Sequence, residues 1–319
     1  MKSFFGSDLL LNSESAKKIY AEVKDLPIID YHCHLDQYKI KDDAKFQNIG
    51  ELWLAGDHYK WRAMRLCGVG EELITGNSSW REKFRAYASV LPKLAGNPLY
   101  YWTHMELQQV FGIFEPLSAE SADRIFDAAN EKLQNISVST LLKQYKVEFV
   151  ATTDDPCDDL LAHGKYGGTL VAPTFRPDKL FTLDEAYLQR LGETAGEDVS
   201  TLEGLLKAVE KRLMYFISRG CRISDHGFCR FAQYYVTHSI AEELYSERKT
   251  LNEEQKEALF GYLLVELARL YKKHHIIMQL HFAVTRNVNG PMFAKCGADA
   301  GFDVIADRSP IPVSYTHLR

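Results

Sequence analysis

The chain has 319 residues and a mass of 36.4 kDa, enough for one large domain or two ordinary ones. Its 46% hydrophobic and 25% charged residues are those of a globular protein. A net charge of −5 without any basic block excludes nucleic acid as the main partner, and no apolar run is long enough to cross a bilayer.

The six cysteines (Cys33, Cys67, Cys157, Cys221, Cys229, Cys296) have no CxxC pairing and no regular spacing. Free thiols in a reducing compartment are the simplest expectation. The opening "MKSFFGSDLLLNSES" is a poor signal peptide, because Gly6, Ser7 and Asp8 break its apolar stretch. A cytoplasmic location is expected.

In chain order, "SESAKKIYAEVKDL" (13–26) predicts a capped amphipathic helix, with Ser13 or Ser15 as N-cap. "LPIIDYHCHLD" (26–36) follows as a buried strand running into Asp30, His32 and His34. From about 45 to 145 the text is mostly helical and aromatic-rich, broken at Gly68, Gly70, Gly76, Pro92 and Pro98. Strands then return at "VEFVATTDDP" (147–156) and "GTLVAPTFRPD" (168–178). A helix over 201–220 leads into a short strand, "CRISDHG" (221–227). A long helix over 253–275 ends in basic residues, which suits its dipole, and "IIMQLHFAV" (276–284) is a buried strand.

Strand and helix alternate, and each apolar strand ends in polar residues: His32 and His34, Asp154 and Asp155, Arg176, Asp225 and His226, His281. The expected fold class is α/β, a TIM-like barrel of parallel βα units with a helical insertion at about 40–145. A doubly wound open sheet would also alternate, but its first turn is usually glycine-rich, and "HCHLDQYKI" has no glycine.

In a strand, residues i and i+2 share a face, so His32 and His34 make a two-point chelate for zinc or another borderline ion. The bare pattern is weak: 11 histidines in 319 residues give roughly 0.4 chance HxH per chain. Its position at the end of the first strand strengthens it. A structural pair is the alternative.

"IIDYHCHLD" resembles the first strand of the amidohydrolase superfamily, metal-dependent βα barrels with HxH at that point. "LWLAGDHYKWRAMRLCGV" (52–69), "TTDDP" (152–156), "PTFRPDK" (173–179), "GCRISDHG" (220–227) and "MQLHFAVTRN" (278–287) together resemble uronate isomerases, in order and at plausible separations. The resemblance implies an aldose–ketose isomerase on hexuronates, working through an enediol. It implies no nucleotide or flavin, and a divalent metal, zinc first, on His32 and His34. His58 and Tyr59 become hydrogen-bonding and proton-transfer groups, although the bland reading makes them surface residues of an amphipathic helix.

Arg176 is the candidate for an anionic group, with a structural ion pair to Asp178 or Asp155 as its alternative. Asp225 and His281 are candidate catalytic residues, and His226 is a candidate metal ligand. For Asp225 and His226 a helix-start cap is the competing role, and His281 could be a core histidine. Arg286 and Asn287 could touch substrate at the strand mouth.

The resemblance ends near residue 308, and "SPIPVSYTHLR" reads as a non-native tail over 309–319. One domain over 1–308 is expected, with five convincing strands, too few to close an eight-stranded barrel. The family's last strand carries a further catalytic aspartate that finds no counterpart here, so the chain as written is expected to be an inactive fragment. A hydrolase or lactonase of the same superfamily is the runner-up, yet Arg176 stands where many binuclear members use a bridging lysine. A non-catalytic sugar-acid-binding barrel is a third reading. A homo-oligomer is left open.

Overall fold

The computed structural model describes residue 6 and residues 9–229, 231–232 and 235–305; the segment 309–319 lies outside them. Contacts divide the chain into two compact units. One takes in residues 1–27, 43–146 and 287–303, the other residues 28–42, 147–286 and 304–319.

The first half of the chain alternates little. It runs α1 (Glu14–Val23), β1 (Ile28–Asp30), α2 (Gln37–Lys41), α3 (Ile49–Leu54), α4 (His58–Leu66), α5 (Trp80–Val90), α6 (Pro98–Phe111), α7 (Ala122–Leu133) and α8 (Val138–Gln144). Strands then appear as β2 (Val147–Ala151), β3 (Gly164–Tyr166) and β4 (Thr169–Ala172), followed by α9 (Glu185–Ala195), α10 (Leu202–Ser218) and β5 (Ile223–Phe228). The rest is α11 (His238–Ser246), α12 (Glu253–Lys273), β6 (Ile277–Phe282), β7 (Val284–Thr285), α13 (Gly290–Cys296) and β8 (Val304–Ile305).

Sequence explains most helix starts. Of the two serines proposed to cap α1, Ser13 does so, accepting from the Ala16 N–H at 3.1 Å. Asp57 caps α4, Ser79 and Glu82 form a reciprocal capping box on α5, and Asn252 with Gln255 does the same on α12. Lys272 and Lys273 close α12, where they face the negative end of its dipole.

The helical unit packs around Trp53, Met64, Phe84, Tyr87, Phe111 and Phe126, with Trp53 stacked on Phe84 at 5.8 Å between ring centroids. It holds α3 to α8, the stretch that shows no strand pattern in the sequence.

The second unit carries the strands. β1 pairs parallel with β2, and β2 pairs parallel with β4. β3 turns back antiparallel on β4. β5 and β6 form a parallel pair. Two single bridges, Asp154 to Phe175 and Phe175 to Ser224, tie these sheets together. The result is five parallel staves in the order β1, β2, β4, β5, β6, the number legible in the sequence. Among the described residues β1 and β6 have ladder partners on one edge only, and Ile28, Ile29 and Ile277 are exposed there. Behind the staves α9, α10 and α12 pack through Leu188, Leu205, Leu213, Phe216, Leu263 and Tyr271. β5 reads buried at Ile223, Ser224, Asp225 and His226 in succession, as a parallel strand covered on both faces should, whereas β1 and β6, both expected as buried strands, carry exposed residues because each is paired on one edge only among the described residues.

Candidate active site

β1 is short, so His32 and His34 stand just past its end. The alternation nevertheless persists through them. Cys33 is buried against the sheet, its N–H donating to Ala151 O at 2.9 Å, and burial pushes its thiol up to about 11. His32 and His34 turn the other way, their rings edge to face at 5.0 Å.

His32 also meets His281, the ring centroids 4.8 Å apart. The register of β5 on β6 explains how His281 arrives there. Asp225 lies opposite Gln279 and Gly227 opposite His281, so these four share one face, while His226 and Leu280 share the other. On the shared face His281 Nδ1 lies 2.7 Å from Asp225 Oδ1. A carboxylate can only accept, so the proton sits on Nδ1 and the Nε2 lone pair is the basic or ligating face. The other Asp225 oxygen is 3.1 Å from Arg176 Nη1 in an ion pair.

Asp225 is fully buried and His281 is half-exposed, so the group has a closed floor and an open mouth. Burial is the main cause holding the His32 ring below its ordinary histidine pKa. The charges of His281, His34 and Arg176 work the same way, and only Asp225 opposes them.

His32, Asp225 and His281 form a group whose donor atoms lie within 4.8 Å of one another. Two imidazoles and a carboxylate are the ligand set of many catalytic zinc sites. The buried Nδ1 of His32 has no hydrogen-bond partner, and its lone pair in the neutral ring is one that a cation would accept. The residues therefore fit a divalent ion.

Other residues fall differently. His226 is not a ligand at this cluster. It points to the opposite face of β5, with Nδ1 3.0 Å from Asp178 Oδ1 and Nε2 3.1 Å from the Tyr271 hydroxyl, so both ring nitrogens are occupied. Strand alternation keeps Asp225 and His226 from facing the same side of β5. Arg176 makes the ion pair of its alternative reading, with Nε 3.3 Å from Asp178 Oδ2, and its Nη1 also reaches Asp225. Asp155 pairs with Lys179 instead, at 3.1 Å.

His58 and Tyr59 open α4 in the helical unit, their rings 4.4 Å apart and Tyr59 exposed. Arg286 closes a segment of the strand unit. Asn287 begins one of the helical unit, in a left-handed conformation with its N–H on Asp303 at 2.9 Å. Asp178 escaped the sequence reading except as an ion-pair partner. Its carboxyl is held below the usual range because His226, the Gly227 N–H and Arg176 outweigh the burial that opposes ionisation. Its position two residues after Arg176 in "PTFRPDK" was the available signal.

The family model for glucuronate isomerase matches residues 1–318. The chain belongs to the glucuronate isomerase family. Uronate isomerase of Shouchella clausii is 42% identical over 96% of the chain and 68% of that relative, and that of Brachyspira hyodysenteriae is 39% identical over 98% and 70%. The crystal structure of uronate isomerase from Thermotoga maritima superposes with a TM-score of 0.94 at 34% identity, over 99% of the chain and 73% of that structure. The glucuronate isomerase structure from Caulobacter crescentus gives 0.90 at 28%, over 100% and 70%. The α/β barrel class read from the strand pattern holds for this family member, and the matches favour an isomerase over a hydrolase or a binding relic.

Proposed function

We propose that the chain is an aldose–ketose isomerase that interconverts D-glucuronate with D-fructuronate, and D-galacturonate with D-tagaturonate, against the expectation of an inactive fragment, which the assay below tests. The observation that carries this reading is the convergence of His32, Arg176, Asp225 and His281 at the C-terminal ends of parallel strands, where βα folds place their chemistry.

His281 is the proposed base. Asp225 fixes its tautomer and stabilises the imidazolium formed when Nε2 takes the proton from C2 of the open-chain sugar. Returning that proton to C1, while the hydroxyl proton passes from O2 to O1, converts aldehyde to ketone without losing an atom. His58 and Tyr59 are proposed for the oxygen-to-oxygen transfer on the strength of the sequence resemblance. Arg176 offers the fork that matches a carboxylate, and Arg286 and Asn287 remain proposed substrate contacts. His32 is a proposed imidazole ligand of a divalent ion, zinc first, and His34, which stands beside it outside the donor group, is proposed as a second on the sequence resemblance. Such an ion, when bound, acts as a Lewis acid that draws developing negative charge onto itself. The unpaired cysteines suit a cytoplasmic enzyme.

The test is to incubate the purified chain with D-glucuronate and follow ketouronate formation, for wild type and His281→Asn. Isomerisation lost in the variant supports the reading; because His281 also belongs to the donor group, bound metal is measured in parallel, and a parallel loss of metal would make His281 a ligand and not the base. Hydrolysis of a lactone or amide without isomerisation would replace it with the hydrolase alternative.

A further inference from the structure

Arg176 is the longest and most flexible member of the site, yet its guanidinium lies in one defined place. Besides the ion pair of Nη1 with buried Asp225 at 3.1 Å, three features hold it. Asp178 Oδ2 stands 3.3 Å from Nε, and the same oxygen accepts the Gly227 N–H at 2.7 Å. The other Asp178 oxygen accepts from His226 Nδ1 at 3.0 Å, and the buried Tyr271 hydroxyl donates to His226 Nε2 at 3.1 Å. Finally, the guanidinium crosses β5 directly over Gly227, where a Cβ would meet Arg176 Nη2 at 2.7 Å.

We propose that Asp178, seated by His226 and Gly227, is the positioning residue of Arg176 and sets how a uronate carboxylate is received. Neutral His226 satisfies every partner in this cradle: its Nδ1–H goes to the carboxylate and its Nε2 lone pair to Tyr271. A fully buried imidazole on the outer face of β5 thus serves the inner face through Asp178. Gly227 is glycine for space and not for backbone freedom, since its φ is not positive. Any side chain there would push the guanidinium off the strand. The "DHG" of β5 therefore carries three separate duties: Asp225 orients His281 and pairs with Arg176, His226 holds Asp178, and Gly227 leaves room.

The inference rests on the reading of Arg176 as the carboxylate contact, and the experiment separates the two. D-glucuronate binding is measured by calorimetry, with bound metal per chain as a control, for Asp178→Ala, Gly227→Ala, Arg176→Ala and the doubles. Each single variant is expected to weaken binding about tenfold, a coupling of the size seen between contacting charged groups. Metal content should stay unchanged. In the Arg176→Ala background neither Asp178→Ala nor Gly227→Ala should add a further loss. Asp178→Asn should restore most of the affinity, because its amide oxygen still accepts from Arg176 while His226 changes tautomer. Full additivity in the doubles overturns the proposal. If Arg176→Ala leaves binding intact, the carboxylate reading falls. The position of the guanidinium in a crystal structure of Gly227→Ala then decides the positioning claim, and an unmoved guanidinium ends it. Gly227→Ala displaces only the tip of a flexible side chain, so it supplies the test even where Asp178→Ala fails to fold.

Discussion

His32 illustrates what one residue can carry. Its ring is part-buried, its Nδ1 lacks a partner, and it touches the rings of both His34 and His281. Replacing it by alanine should lower bound metal and isomerisation together, with metal retention falling by at least about tenfold. Metal content by elemental analysis checks this, and unchanged metal with retained turnover removes His32 from the ligand set. A second residue-scale effect lies in the helical unit. Hydrogen bonds from Arg65 pull the Glu71 carboxyl down from 4.5 to about 2, with Thr75 adding to the effect and burial opposing it. The unfolded chain therefore takes up that proton first as pH falls. The stabilisation is complete above pH 4.5 and is lost as pH drops toward about 2. With allowance for water screening it is of order 1 kcal/mol. Denaturant melts of Glu71→Gln against wild type should differ at pH 6 and converge near the lower limit.

At the scale of elements, two local patterns do most of the positioning. Asp57 accepts from the Tyr59 and Lys60 N–H groups at 3.0 and 2.9 Å and pairs with Lys60 Nζ at 2.8 Å. It thus fixes the turn of α4 that presents His58 and Tyr59. Asp57→Ala should cost about 1 kcal/mol, as lost caps do, and raise amide exchange at residues 58–61 ahead of the rest of the unit. Uniform exchange along α4 would show that packing holds the turn without the cap. The second pattern is the two-residue period of β5. It was available in the sequence, and it already implies that Asp225 and His226 cannot face one site. The structure separates them by a side-chain flip, one toward His281 and one toward Asp178.

At the scale of the whole molecule, two units each have their own apolar centre. Phe84 and Phe216 are fully buried in the helical and strand units respectively. Phe216 packs edge to face on Phe175 at 5.0 Å, the residue before Arg176, so the strand core also supports the site. Truncation of either phenylalanine to alanine should cost about 3–5 kcal/mol. Hydrogen exchange should then localise the loosening: Phe216→Ala within 147–286, Phe84→Ala within 43–146. Loosening spread evenly over both ranges would mean that the two cores melt as one.

The sequence by itself determined where the five parallel staves fall along the chain and the helical stretch between the first two of them, while its quoted motifs carried the resemblance to the family. Those properties are written in local patterns: hydrophobic period, cap residues, and polar residues that close each strand. It also exposed His32 and His34, two residues apart. What only the tertiary structure decided is which of the distant polar residues meet. Asp225 and His281 are 56 positions apart and touch because β5 and β6 pair in one particular register. Arg176 reaches Asp225 because Gly227 lets it cross and Asp178 holds it. Such contacts depend on strand register and side-chain direction. Both are set by packing of the α9, α10 and α12 layer against the strands, and no short stretch of sequence encodes them.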